Sequence, residues 1–175
     1  MKKHLLAFIL LSTSFFSYSQ KSVDQYNMGV EAAHRSDYNE AIRYFSKAIS
    51  RNSMFIEALY NRALAKSRIG NFKGSIEDYT SVLEIDPGFI MAFLNRGADK
   101  NETGDTSGAI EDYTKAIDIN PRYALAYYNR GVIYFKNGNY QSALIDFTKA
   151  TELNSAMMNA EHNRLLCLEK LKETE

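Results

Sequence analysis

The pattern of small, apolar and aromatic positions along this chain repeats every 34 residues. A shift of 34 brings large aromatic side chains into register at Phe45, Tyr79, Tyr113 and Phe147. The same shift aligns small residues at Ala41, Ser75, Ala109 and Ala143, and glycines at Gly70, Gly104 and Gly138. The pattern predicts four equivalent units, over residues 22–55, 56–89, 90–123 and 124–157, followed by one further helix over residues 158–175.

Each unit is predicted to hold two antiparallel helices, A and B, joined by a turn at its fifteenth position. Glycine fills this position in three units and tolerates the positive φ that ends a helix in a left-handed residue. The first unit has Ser36–Asp37 there instead. Small residues at the eighth position, such as Gly97, remove bulk from helix A. We therefore expect the two helices of a unit to approach closely.

The junctions between units differ in their residues. Helix B is predicted to end before Pro87 and Pro121, because the residue before a proline is pushed out of the helical region. The first and fourth units have Asn52–Ser53 and Asn154–Ser155 at this point. We expect those two exits to be less sharply fixed.

The last helix departs from the repeat pattern. Leu165 replaces the small residue of the eighth position, and the other face carries Glu161, Glu169, Lys170 and Lys172. A helix with no helix B of its own can carry that bulk. The segment is therefore predicted to cap the array with a polar outer face.

The 34-residue period and recurrent residues such as Asn129–Arg130–Gly131 resemble those of the tetratricopeptide-repeat (TPR) family over almost the whole chain. The resemblance implies an all-α superhelix, an α-solenoid of four helix-turn-helix repeats plus a C-terminal capping helix. It also implies a concave groove lined by the A helices. The function expected from it is non-enzymatic binding of a peptide or protein segment, as an adaptor or scaffold. The alternative is a self-assembling, homo-oligomeric structural subunit of a cell-envelope complex.

Asparagine stands at the sixth position of every unit and of the last helix. An asparagine amide offers both donors and an acceptor. The resemblance places this position on the groove, where the amides would bind the main chain of an extended peptide. The alternative is that each amide bonds to a neighbouring helix. The expected partner-binding residues are Asn27, Asn61, Asn95, Asn129, Asn163, Tyr26, Tyr60, Leu64, Leu94, Tyr128, Val132 and Phe135.

A charge clamp for a terminal carboxylate is not expected. Chaperone-binding members of the family carry lysines one turn before the asparagines. The chain has Val23, Glu57, Met91 and Leu125 at those positions.

Arginine follows the asparagine in three units, and the same three units have aspartate at the twenty-third position. The pairs are Arg62 with Asp78, Arg96 with Asp112, and Arg130 with Asp146. The first unit has Met28 and Tyr44 in these places, so both residue types are absent together. We predict ion pairs between helices A and B, since a lone buried arginine would be costly. Direct contact of the arginines with a ligand is the alternative.

Composition and candidate chemistry add little to this account. The chain is 45% apolar and 24% charged, and basic and acidic residues both number 21, so no positive field for nucleic acid is expected. His34 and His162 fall in the first unit and the last helix, and Cys167 has no evident catalytic partner. We expect no catalytic residues, no metal site, no cofactor and no small-molecule substrate.

The first 19 residues are predicted to be a secretory signal peptide. Lys2 and Lys3 precede an apolar run, and small residues stand before Gln20. The run is too short to span a bilayer. We expect cleavage between Ser19 and Gln20 and an exported protein, periplasmic or secreted.

Overall fold

The computed structural model describes residues 20–173, and in this range the chain forms nine α-helices and no strand. The predicted signal peptide, like residues 174 and 175, lies outside the described residues. The helices are α1 (20–34), α2 (Tyr38–Arg51), α3 (Ile56–Arg68), α4 (Phe72–Ile85), α5 (Ile90–Glu102), α6 (Thr106–Ile119), α7 (Ala124–Lys136), α8 (Tyr140–Leu153) and α9 (Met158–Lys172). The predicted all-α class is confirmed.

The helices form two compact units, with the boundary between Pro87 and Gly88. Unit 1 contains α1 to α4, and unit 2 contains α5 to α9. In unit 1, α3 packs against both α2 and α4. In unit 2, each helix packs against the next one along the chain. No helix within residues 20–173 is both long enough and apolar enough to cross a membrane.

The turns between helices A and B have the backbone conformation that the glycines predict. Gly70, Gly104 and Gly138 have φ of 77°, 86° and 75°, and Ser36 adopts φ of 61° at the corresponding place. In every repeat, the residue after this turn position caps helix B. In the first repeat, the Asp37 side chain accepts a hydrogen bond from the Glu40 backbone N–H. These caps satisfy N–H groups that the first turn of a helix leaves without partners.

Glycine at the eighth position allows the close helix packing that the sequence predicts. A Cβ on Gly29 would lie 2.6 Å from the Phe45 ring, and one on Gly131 would lie 2.9 Å from the Phe147 ring. Both phenylalanines are fully buried. The ring of helix B therefore occupies the space that glycine leaves on helix A of the same unit.

The exits from helix B do not differ as expected. Asn52 and Asn154 have the same extended conformation as Asp86 and Asn120, with ψ between 91° and 95°. The Asn52 side chain accepts a hydrogen bond from the Met54 backbone N–H at 3.1 Å. Asn154 does the same for Ala156 at 3.1 Å. The same bond is present beside Pro121, where Asn120 accepts from the Arg122 backbone N–H at 3.0 Å, so the asparagine side chain holds the turn with or without proline.

The outer face of α9 is less polar than predicted. Leu165 is 52% exposed and Met158 is 81% exposed. The inner face packs well, since Cys167 is fully buried against Ala143 and Phe147. Burial raises the pKa of the Cys167 thiol. The helix covers α8 but leaves apolar surface of its own in solvent.

Candidate functional site

The predicted ion pairs between helices A and B are present in three repeats. Arg62 binds Asp78 through two bonds, Nε to Oδ2 at 2.8 Å and Nη2 to Oδ1 at 2.7 Å. Asp112 accepts the same two bonds from Arg96, and Asp146 from Arg130. All three aspartates are buried. The structural interpretation of the arginines is confirmed.

Two lysines that the sequence analysis did not single out belong to these ion pairs. Lys66 Nζ lies 2.8 Å from Asp78 Oδ2, and Lys100 Nζ lies 3.0 Å from Asp112 Oδ2. Each lysine follows its arginine by four residues, so both face the same side of helix A. The fourth repeat has Tyr134 at this position. The spacing was the signal that could have revealed them.

Two of the arginines also bond to the preceding repeat. Nη1 of Arg62 donates to Ser46 Oγ at 3.1 Å, and Nη1 of Arg130 donates to Thr114 Oγ1 at 3.0 Å. The hydrogen bonds to Asp146 raise the pKa of Arg130 above its ordinary value. Each of these two guanidinium groups thus joins three helices, and its donors are used in holding the repeats together.

A groove in unit 1 runs between α1 and α3 and encloses a cavity of about 290 Å³. Val30 and Leu64 supply apolar side chains, and Asn61 supplies an amide. The Asn61 amide nitrogen donates a hydrogen bond to the Tyr26 hydroxyl at 2.9 Å. Burial and then the charge of Glu57 raise the pKa of Tyr26. In this unit the asparagine is bonded to a neighbouring helix, as the alternative interpretation holds.

A second groove, in unit 2, runs between α5 and α7 around a cavity of about 220 Å³. Tyr128, Asn129 and Val132 line it. Asn129 is half-buried, and its side chain makes no hydrogen bond to any residue between 20 and 173. Tyr26, which bonds to Asn61, stands 35 residues before it. The residue 35 positions before Asn129 is Leu94, which has no hydroxyl to accept such a bond. The amide of Asn129 therefore remains available to a ligand.

The floor of the unit 2 groove contains an ionisable group. Tyr113 lines the cavity and is only 3% exposed. Burial, followed by the charges of Asp112, Asp99 and Glu102, raises the pKa of Tyr113 to about 12. The phenol stays neutral at ordinary pH and can donate a hydrogen bond.

The other predicted binding residues are distributed unevenly. Asn27 is exposed. Five other predicted residues are half-buried and line neither cavity: Tyr26, Tyr60, Asn95, Phe135 and Asn163. Leu94 is only 3% exposed and packs in the core with Tyr113 and Ile133. The placement of Leu94 on an open surface is wrong, because this side chain turns into the space between helices. The role of the other residues in binding stays a prediction.

The described residues hold no other cluster that indicates chemistry. Among residues 20–173, no group of three or more histidine, cysteine, aspartate or glutamate side chains is placed to hold a metal ion. His34 ends α1 and His162 lies on α9.

Three family models match the chain. One described as a TPR repeat matches residues 100–138, and two described as tetratricopeptide repeats match residues 26–88 and 124–156. An uncharacterized protein of Methanocaldococcus jannaschii is 35% identical over 54 residues. That match covers 31% of this chain and 63% of the relative, which is less than two thirds of its length.

Solved structures share the fold over most of the chain. A MamA protein gives a TM-score of 0.82 at 22% identity, covering 87% of this chain and 84% of that one. MamA from Desulfovibrio magneticus RS-1 gives 0.75 at 19% identity, covering 87% and 92%. A tetratricopeptide-repeat protein of Parabacteroides merdae gives 0.81 at 24% identity, covering 88% and 61%. At these identities the likeness concerns the fold alone.

Proposed function

Because this chain belongs to the tetratricopeptide-repeat family and has its all-α solenoid fold, we propose that it is a non-enzymatic adaptor that binds an extended segment of another protein. The binding surfaces are the groove between α1 and α3 in unit 1 and the groove between α5 and α7 in unit 2. The family is generally one of protein-interaction modules, which supports an adaptor function. The lining of the two grooves supports them as the binding surfaces.

The observation that carries this proposal is the amide of Asn129. It lines the unit 2 cavity, is half-buried and has no hydrogen-bond partner among residues 20–173. The main chain of an extended peptide offers the donor and acceptor that complement this amide. A peptide strand in this groove would satisfy the amide.

The neighbouring side chains fit the same kind of ligand. Tyr128 and Val132 flank Asn129 along one wall, and Ala98 and Ile133 add further apolar surface. These residues can accept side chains of a segment whose main chain is held by the amide. Main-chain contacts give affinity with little dependence on sequence. The groove is therefore expected to accept many sequences.

Site-specific crosslinking in the native cell tests this proposal. A photoreactive amino acid replaces Val132 in the groove, and in a matched variant it replaces Lys115, which is exposed on α6. We expect the Val132 variant, and not the Lys115 variant, to form an adduct with a different polypeptide. Mass spectrometry of the adduct identifies the segment. Adducts of equal yield from both positions, or from Lys115 alone, would exclude the groove as the binding surface.

Self-assembly remains the second candidate function, because α9 leaves apolar side chains in solvent. Met158 is 81% exposed and Leu165 is 52% exposed, seven residues apart and so on nearly the same face of the helix. A second copy covering this face would remove that surface from water. Sedimentation over a wide concentration range separates the two functions. An adaptor stays monomeric, whereas a self-assembling subunit grows in mass as its concentration rises.

We further propose that the protein acts outside the cytoplasm. The support is the pattern of residues 1–19 in the sequence. The test is the N-terminus of the protein isolated from its native cell. Export with cleavage predicts a mature chain that begins at Gln20 and is recovered outside the cytoplasm. A cytoplasmic chain that begins at Met1 would contradict it.

A further inference from the structure

One end of the unit 1 groove carries basic side chains. His34 and Arg68 stand at the ends of α1 and α3, and both line the same cavity as Asn61. Both are exposed, and neither makes a hydrogen bond or an ion pair with any residue between 20 and 173. The guanidinium of Arg68 is always charged and offers five N–H donors. The groove thus has donors at one end that nothing within the described chain uses.

No acidic side chain lines this cavity. Asp37, which precedes Tyr38 of the cavity wall, is exposed and accepts a hydrogen bond from the Glu40 backbone N–H as the cap of α2. Glu40, which follows Tyr38 of the cavity wall by two residues, already binds Arg35 at 3.0 Å and Arg43 at 3.1 Å. The end of the groove is therefore complementary to a negatively charged ligand.

The corresponding place in unit 2 has the opposite charge. Glu102 lines the unit 2 cavity at the position that His34 occupies in unit 1. Asn101, beside it, also lines that cavity. The two grooves therefore carry different charges at equivalent repeat positions.

Basic residues near a helix C-terminus also interact with the helix dipole, and this provides a competing explanation for Arg68. Lys136 gives a comparison within the chain. It occupies the same repeat position in the last turn of α7 and is exposed, but it lines neither groove cavity. If the two residues only interact with the helix dipole, replacing either should have the same effect on the protein. If Arg68 binds a ligand, only its replacement should weaken ligand binding.

The spacing of Leu64 and Arg68 along α3 determines which two side chains of a bound segment can contact them. Leu64 and Arg68 are four residues apart, which is about 6 Å along a helix axis. In an extended peptide, side chains two residues apart point to the same side and lie roughly 6.6 Å apart. A segment that runs along α3 and contacts Leu64 with an apolar side chain therefore brings the side chain two residues away to Arg68.

We propose that the unit 1 groove selects segments in which an aspartate or glutamate lies two residues from an apolar side chain. The apolar side chain packs against Val30 and Leu64, and the carboxylate accepts hydrogen bonds from Arg68 and His34. This inference rests on the proposed groove function and adds a ligand class to it. The carboxylate belongs to a side chain, because Val23 and Glu57 stand where chaperone-binding members of the family carry the lysines that hold a terminal carboxylate.

Selection from a phage-displayed library of random dodecapeptides tests this inference. The peptides are fused at their C-termini, so that they present no terminal carboxylate. The baits are the mature wild-type protein, Arg68→Glu and Lys136→Glu, each checked for an unchanged helical spectrum and melting temperature. If Arg68→Glu does not fold, Arg68→Gln takes its place. Affinities of the enriched peptides are then measured with synthetic, C-terminally amidated copies.

We expect wild type and Lys136→Glu to enrich the same apolar and acidic pair, and Arg68→Glu to lose it. The affinity of an enriched acidic peptide should fall about tenfold or more with Arg68→Glu and stay within twofold with Lys136→Glu. Enriched peptides without the acidic residue, or equal losses in both variants, would overturn the inference while leaving groove binding intact. Failure of every bait to retain any peptide would contradict the proposed function itself.

Discussion

Asn61 donates a hydrogen bond from its amide nitrogen to the hydroxyl of Tyr26, 2.9 Å away and 35 residues earlier in the chain. The bond joins α1 to α3 across the unit 1 groove. Asn129 has no such bond, because Leu94 stands at the position that corresponds to Tyr26. The same residue at the same repeat position is therefore hydrogen-bonded to a neighbouring helix in unit 1 and makes no such bond in unit 2.

Replacing Tyr26 with phenylalanine should lower the free energy of unfolding by about 0.5 to 1.5 kcal/mol, because one part-buried hydrogen bond is lost. Chemical denaturation measures the change. Tyr38→Phe is the matched control, since Tyr38 lines the same cavity but its hydroxyl bonds to no residue in the described range. Equal stability of the two variants would mean that the bond between Asn61 and Tyr26 contributes nothing.

The buried aspartates should differ in their importance to stability. Asp112→Asn is expected to lower the free energy of unfolding by about 1 to 4 kcal/mol, because Arg96 and Lys100 then lack their buried counter-charge. Asp146→Asn should cost less, since Asp146 binds Arg130 alone. Glu111→Gln, at an exposed neighbour, is the control. Melting temperatures that do not change with Asp112→Asn would reject the structural role of the pair.

Ser36 lies in the left-handed region with φ of 61°, where a side chain other than glycine is strained. Ser36→Gly should therefore stabilise the fold by about 0.5 to 1 kcal/mol, after allowance for the entropy that glycine adds to the unfolded chain. The reverse change, Gly104→Ser, should destabilise by a similar amount. A Cβ at Gly104 would meet no atom within 4 Å, so that variant reports the backbone strain alone. Two changes of the same sign would contradict this explanation.

Much of this arrangement could be predicted from the sequence, because comparing the repeats shows which positions change together. The ion pairs could be inferred since Met28 and Tyr44 replace both partners in the first repeat. Burial depth was harder to infer. The register of a helix gives the direction of Leu94 but not the neighbours that cover it. The bond between Asn61 and Tyr26 stayed one of two alternatives, because the pattern gives a face and not an atomic contact.

The stability of unit 2 should depend on the ionisation of Tyr113 at alkaline pH. The pKa of this phenol is raised to about 12 from the ordinary value of 10.0, so the unfolded chain releases the proton first. The stabilisation by neutral Tyr113 is therefore complete below pH 10 and is lost as the pH rises towards 12. Over this range, wild type should lose roughly 2 to 3 kcal/mol more than Tyr113→Phe. Urea unfolding at several pH values measures the difference, and parallel curves would contradict it.

The central claim is that the Asn129 amide binds the main chain of a partner segment. It is tested most directly by the affinity of the crosslinked segment for Asn129→Ala, measured by calorimetry. Asn159→Ala, at an exposed position of α9, is the control. Each hydrogen bond contributes about 0.5 to 1.5 kcal/mol, so Asn129→Ala should bind roughly two- to tenfold more weakly for each bond lost while remaining folded. A variant that unfolds, or that binds the segment as tightly as the control does, would contradict the account.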